Sequence, residues 1–144
     1  MRRIDMNYWI RAYNNQRFRV ADFIHDNGFI DWGMRNRFEK GDIVFLYATA
    51  PESRITFMME VTSVALTCEE IANDESYYIS QQYFENWLRH KADHLYVRYS
   101  FLKEFHTSEL SLAKLRENGM QGTPRSPRKL WPETVDYIMG KLND

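Results

Sequence analysis

The sequence has one cysteine, Cys68, so no disulfide can form within the chain and a disulfide-stapled secreted scaffold is excluded. It also lacks any apolar run near the ~20 residues needed to cross a bilayer as a helix. Its opening, Met1-Arg2-Arg3-Ile4-Asp5, runs into mixed polar residues and not into the apolar core of a signal peptide, and a soluble, cytoplasmic protein is expected. Charge of one sign is missing too: 19 Lys/Arg face 20 Asp/Glu, a net charge of -1, which excludes histone-like binding by bulk charge. With only 6 Gly and 4 Pro the chain has no low-complexity tract, linker or internal repeat. Its 144 residues suit one domain spanning 1–144.

What is abundant is apolar and aromatic. Hydrophobic residues make up 44% of the chain and aromatics 15%, enough to offset ordering entropy with a folded core and no structural metal. Charge is unevenly spread: residues 1–40 carry 8 Lys/Arg against 5 Asp/Glu, residues 41–115 carry 6 against 11, and residues 116–144 carry 5 against 4. Two mildly basic ends flank an acidic middle, and a positive patch forms if those ends meet in space.

Residues 6–13, rich in aromatic and apolar side chains and ending at Asn14-Asn15, read as a first strand. Phe18, Val20, Ala21, Phe23 and Ile24 recur at helical spacing over 17–26 and stop at Asn27-Gly28. Residues 29–40 have no clear period and read as a loop holding Trp32, Arg35, Arg37 and Lys40. The run 43–48 predicts a strand buried on both faces, and 55–66 its hairpin partner across Pro51. A helix is predicted over 77–89 with Tyr83, Phe84, Trp87 and Leu88 on one face, and a strand over 95–102. Residues 108–117 predict a helix capped by Ser108, and 132–142 a last helix with Pro132 in its first turn. Between those helices, Gly122, Pro124 and Pro127 predict an irregular basic loop and a candidate binding surface.

Signals for catalysis are weak, and no enzyme activity, cofactor or metal is expected. Cys68 adjoins Glu69-Glu70, whose charge opposes the thiolate a nucleophile needs, so an incidental thiol is the better reading. His90 and His94 share a helical spacing but lack a third ligand, and solvated histidines are favoured; His25 and His106 stand alone. No glycine-rich phosphate loop or nucleophile elbow is present. Aromatic rings beside arginines are what stacking on a base with a held phosphate requires, and Tyr13, Trp32 and Tyr47 supply the rings. Each ring taken singly reads as core; only convergence on a shared pocket reverses that.

The order of features is similar to that of a known family. A Tyr-Trp-Ile strand ending in Asn, a lone Trp32, Gly41-Asp42 opening a strand that ends at Tyr47, Glu60-Val61, and a late Met120-Gln121-Gly122-Thr123 loop before Pro132-Glu133 together resemble the EVE domain. That domain is a branch of the PUA-like superfamily, which also includes the YTH and ASCH domains. The resemblance implies an α+β fold, a PUA-like, twisted and partly closed β-barrel flanked by short helices. It further implies a non-catalytic module that takes a flipped, methylated base of DNA or RNA into an aromatic pocket. Carried over by position, Trp32 is a cage wall, Tyr13 and Asn14 lie at the rim, Tyr47 lines the base, and Gln121, Gly122 and Thr123 supply polar contacts. The loop departs from the family after Thr123, running Pro-Arg-Ser-Pro-Arg-Lys, which makes Arg125, Arg128 and Lys129 candidate phosphate contacts. The same pocket also suits a small molecule or nucleotide, or an RNA-processing role of another kind, and the acidic middle a protein partner; a monomer or weak dimer is expected.

Overall fold

The computed structural model describes residues 6–72 and 74–143; residues 1–5, with Arg2 and Arg3 of the basic N-terminal end, lie outside the described residues. Strands β1 (Tyr8–Tyr13), β2 (Phe29–Gly33), β3 (Ile43–Ala48), β4 (Arg54–Leu66), β5 (Tyr96–Glu104) and β6 (Arg128–Lys129) form one sheet in the order β2-β5-β4-β3-β1-β6. Among the described residues only β1 and β3 run parallel, with Trp9 beside Val44; the other strand pairs are antiparallel. The sheet is therefore mixed and open, a barrel-like layer that does not close on itself. Among the described residues four helices flank it: α1 (Val20–Asn27), α2 (Gln81–His90), α3 (Leu112–Glu117) and α4 (Pro132–Met139).

Strand periodicity sorts the core into two layers. Val44, Leu46 and Ala48 of β3 face one cluster with Trp9, Tyr13, Phe23, Ile24, Val97 and Tyr99; α1 covers this face. Ile43, Phe45 and Tyr47 face the other, with Ile10, Ile55, Phe105, Leu115, Val135 and Ile138, which α3 and α4 cover. The uninterrupted apolar run of β3 exists because both of its faces are sealed, and all six residues are buried. A bulge opposite Leu46 and Tyr47 lets Thr56 turn inward, where its hydroxyl meets the Tyr13 hydroxyl at 2.7 Å and donates to the Leu46 carbonyl. The buried Asp42 ties the parallel pair together: it accepts from Trp9 Nε1 at 3.0 Å, Asn7 Nδ2 at 3.2 Å and the Glu39 amide at 3.0 Å.

Strands β1, β3, β4 and β5 and helices α1 and α4 fall where periodicity predicts them. Gly28, at φ 78°, ends α1 by donating its amide to the Ile24 carbonyl, a left-handed stop that suits glycine. Four expectations change. Residues 29–33 are a strand, not a loop: Asp31 and Gly33 weaken the local β signal, and pairing with β5, Trp32 beside Val97, decides the matter. The helix expected from Tyr77 begins at Gln81, because Ser80 is the cap that accepts from the Tyr83 amide, while Tyr78 is drawn into a bridge with Phe18. Ser108 opens a short 3-10 turn, and Ser111 caps α3 by accepting from the Lys114 amide. The late basic loop is irregular as far as Pro127, and then Arg128–Lys129 pairs with Trp9 and Ile10 as β6.

Candidate functional site

Alternation along β1 puts Arg11 between Trp9 and Tyr13 on the face that α1 covers. Its guanidinium lies 4.9 Å from the centre of the Trp32 ring, donates to the Tyr99 hydroxyl at 2.8 Å and donates to the Gly33 carbonyl at 3.1 Å. Trp32 stands edge-on to Tyr99 with ring centres 5.8 Å apart and tilted to Tyr13 at 6.5 Å. Three strands thus fix one half-buried indole, with a positive charge against its face.

Trp32 is the shared wall of a two-lobed cleft. Arg11, Phe18, Arg35 and Tyr83 border both lobes with it. The narrow lobe, about 350 Å³, is closed by Tyr78, Trp87 and Tyr96 and carries Asp31, Asp74, Asn86, His90 and His94 on its walls. Tyr78 packs on Phe84 and Trp87 with ring centres 5.0 and 6.2 Å away, so α2 supplies an aromatic roof. The wide lobe, about 670 Å³, runs from Tyr13, Asn14 and Arg17 to the segment 124–127. It is held there by the hydrogen bond from the Ala12 amide to the Arg125 carbonyl, 3.0 Å, which joins the two basic ends of the chain.

The lobes differ in charge. Arg11, Arg17, Arg35 and Arg125 border the wide lobe, and no carboxylate does among the described residues. In the narrow lobe Asp31 is buried but satisfied: Arg98 grips both of its oxygens at 2.8 and 2.9 Å, and the Ala72 amide donates to it at 3.1 Å. Burial pushes the Asp74 carboxyl up to about 6, and the nearby Asp31 charge adds to that. Burial likewise raises the Tyr13 phenol to about 12 and raises that of Tyr78. No group of three or more His, Cys, Asp or Glu side chains among the described residues is placed to hold a metal ion.

The structure brings Tyr13, Asn14, Trp32 and Arg125 to this cleft and leaves six other sequence candidates off it. Tyr47 is buried in the opposite core layer, because its odd-numbered position on β3 faces α3 and α4. Gln121, Gly122 and Thr123 are exposed, but Arg116 donates to the Gly122 carbonyl and the Thr123 hydroxyl, and Arg128 to the Gln121 carbonyl. Arg128 lies over Trp131 at 5.1 Å and Lys129 over Trp9 at 5.5 Å. Sequence reasoning missed Arg11, Arg17, Arg35 and Asp74. The position of Arg11 between two aromatic residues at strand period was a legible signal, and the α2 stripe of Tyr83 and Trp87 was another.

No family model and no curated protein matches the sequence. Solved structures share this α+β fold. The chain is similar to an ASCH protein from Zymomonas mobilis, 12% identical, TM-score 0.68, covering 94% of this chain and 96% of that one. A protein from Pseudomonas putida is 18% identical with TM-score 0.60, covering 92% and 97%. The N-terminal domain of Thermococcus gammatolerans McrB, in a structure bound to m5C DNA, is 12% identical with TM-score 0.52, covering 96% and 99%. No helix among the described residues is long and apolar enough to cross a membrane.

Proposed function

We propose that the protein is a non-catalytic nucleic-acid-binding module whose cleft holds an unstacked, methylated base in the narrow lobe and the adjoining phosphates in the wide one, the role the EVE resemblance implies. One observation carries this reading: an aromatic slot and a carboxylate-free lobe bordered by four arginines meet at the shared Trp32 wall. A base leaving its stack costs a few kcal/mol, and stacking on an aromatic face returns ~1–3 kcal/mol per base, so walls on more than one side are needed. Trp32, Tyr78, Trp87 and Tyr96 provide them. A methyl group seated among those rings adds ~1 kcal/mol of apolar burial. The likeness in fold to a McrB domain bound to m5C DNA supports the same reading.

Two of the four tryptophans, Trp32 and Trp87, line the narrow lobe, so base entry is expected to change tryptophan fluorescence. A panel of short DNA and RNA oligomers, plain and methylated, tests this by fluorescence and thermal shift. The expected result is a response that is strongest for a methylated oligomer and lost in Trp32→Ala with folding intact; no response from any oligomer rejects the reading. The 350 Å³ volume of the narrow lobe, within the range of small-ligand pockets, favours a second reading, a free nucleotide or metabolite. A mononucleotide that raises the melting temperature as much as an oligomer selects it.

A further inference from the structure

Two carboxyl groups border the narrow lobe, and they are not equivalent. Asp31 is committed to the Arg98 fork and the Ala72 amide. Asp74 sits on the lobe wall beside Tyr78 with no side-chain hydrogen-bond partner among the described residues, its bond being to its own backbone amide. Among the described residues it thus borders an aromatic slot with acceptor capacity beyond that one bond. Burying a carboxyl with few partners is costly, and a donor arriving with a ligand offsets part of that cost.

Resting on the nucleic-acid reading above, we propose that Asp74 selects the base that enters the narrow lobe, favouring one that bears an exocyclic amine over one that bears a carbonyl at the same place. An ionised carboxylate is acceptor-only, so it receives the amino N–H of cytosine, adenine or guanine. The C4 carbonyl of thymine or uracil sets acceptor against acceptor and leaves the carboxylate unpaired. Once protonated, the same group gains an O–H donor and tolerates the carbonyl. Selection consequently weakens as pH falls through about 6, where Asp74 takes up its proton.

Other charged and titratable groups line this lobe: Arg11 from β1, Asp31 from β2 with its partner Arg98 from β5, and Arg35 after β2. Tyr83 and His90 of α2, His94 beyond it, and Tyr78 and Tyr96 complete the set. Asp74→Asn separates their contribution from that of Asp74. The amide keeps the size of the carboxyl, carries a donor at every pH and leaves the histidines in place.

The test uses the full chain and two single-stranded DNA probes, oligothymidine and the same oligomer with one central 5-methylcytosine. The two bases share the 5-methyl group and differ on the edge that carries amine or carbonyl. At about pH 7.5 the wild type is expected to bind the 5-methylcytosine probe about tenfold more tightly, and the ratio is expected to fall toward one near pH 5.5. Asp74→Asn is expected to hold the ratio near one at both pH values with its fold intact. A wild type that binds both probes equally at pH 7.5, or an Asp74→Asn variant that keeps the wild-type ratio, overturns the assignment. If neither probe binds and the methylated RNA and DNA panel is silent too, the nucleic-acid reading itself has failed.

Discussion

The Arg11 guanidinium and the Trp32 indole lie 4.9 Å apart, and the same guanidinium is anchored to Tyr99 and Gly33. The charge at the junction of the two lobes is therefore fixed in place before any ligand arrives. Arg11→Lys keeps the charge but not the planar fork, which alone reaches two acceptors while stacked. Oligomer affinity is expected to drop roughly tenfold while urea unfolding moves by no more than ~1–2 kcal/mol. An affinity equal to that of the wild type shows that the stack is structural only.

Salt dependence separates the arginines of the cleft from those of β6. Arg17→Ala and Arg125→Ala are each expected to weaken plain and methylated single strands alike and to lower the slope of log affinity against log salt by ~0.7. Arg128→Ala is expected to leave that slope unchanged, since Arg128 lies over Trp131 and donates to the Gln121 carbonyl. A slope that falls in Arg128→Ala as it does in Arg125→Ala places the phosphate track along β6 instead.

The link between Asp42 and Trp9 predicts a stability loss away from the cleft. Asp42→Ala strips three donors of a buried acceptor, and equilibrium unfolding in urea is expected to show a loss of ~2–4 kcal/mol. A change below ~1 kcal/mol means that water or a rearranged loop replaces the carboxylate.

Asp74 predicts an unusual sign in the pH dependence of stability. Its folded value of about 6 lies above the unfolded value of ~3.9, so between these the folded state binds more protons than the unfolded one. This group's contribution to stability therefore falls as pH rises through that window and stays low above it. Asp74→Asn is expected to raise the melting temperature at about pH 7.5 and to leave it equal or lower at about pH 4. A variant less stable than the wild type at pH 7.5 shows that the carboxylate is better satisfied than its burial implies.

Much of the fold was legible because periodicity and punctuation act locally. The β3 run, the Asn27-Gly28 stop and Pro132 at the start of α4 each carry their own physical reason. Trp32 stood out in the sequence as a candidate, but not the strand that holds it, since β2 forms through its partner β5. Tyr47 was misplaced for a reason of parity: on a strand buried on both faces every residue is apolar, and composition does not tell which face a ring joins.

The sequence by itself determined β1, β3, β4, β5, α1 and α4, the surplus of rings and the basic character of the two ends, because these follow from neighbours a few positions apart. Only the tertiary structure decided that β1 and the 124–127 segment meet, that Arg11, Arg17 and Arg35 join Arg125 around one lobe, and that Asp74 faces the other. Those outcomes rest on pairing and packing between residues that lie tens of positions apart, a distance over which a local pattern carries no information about which side chains share a cavity.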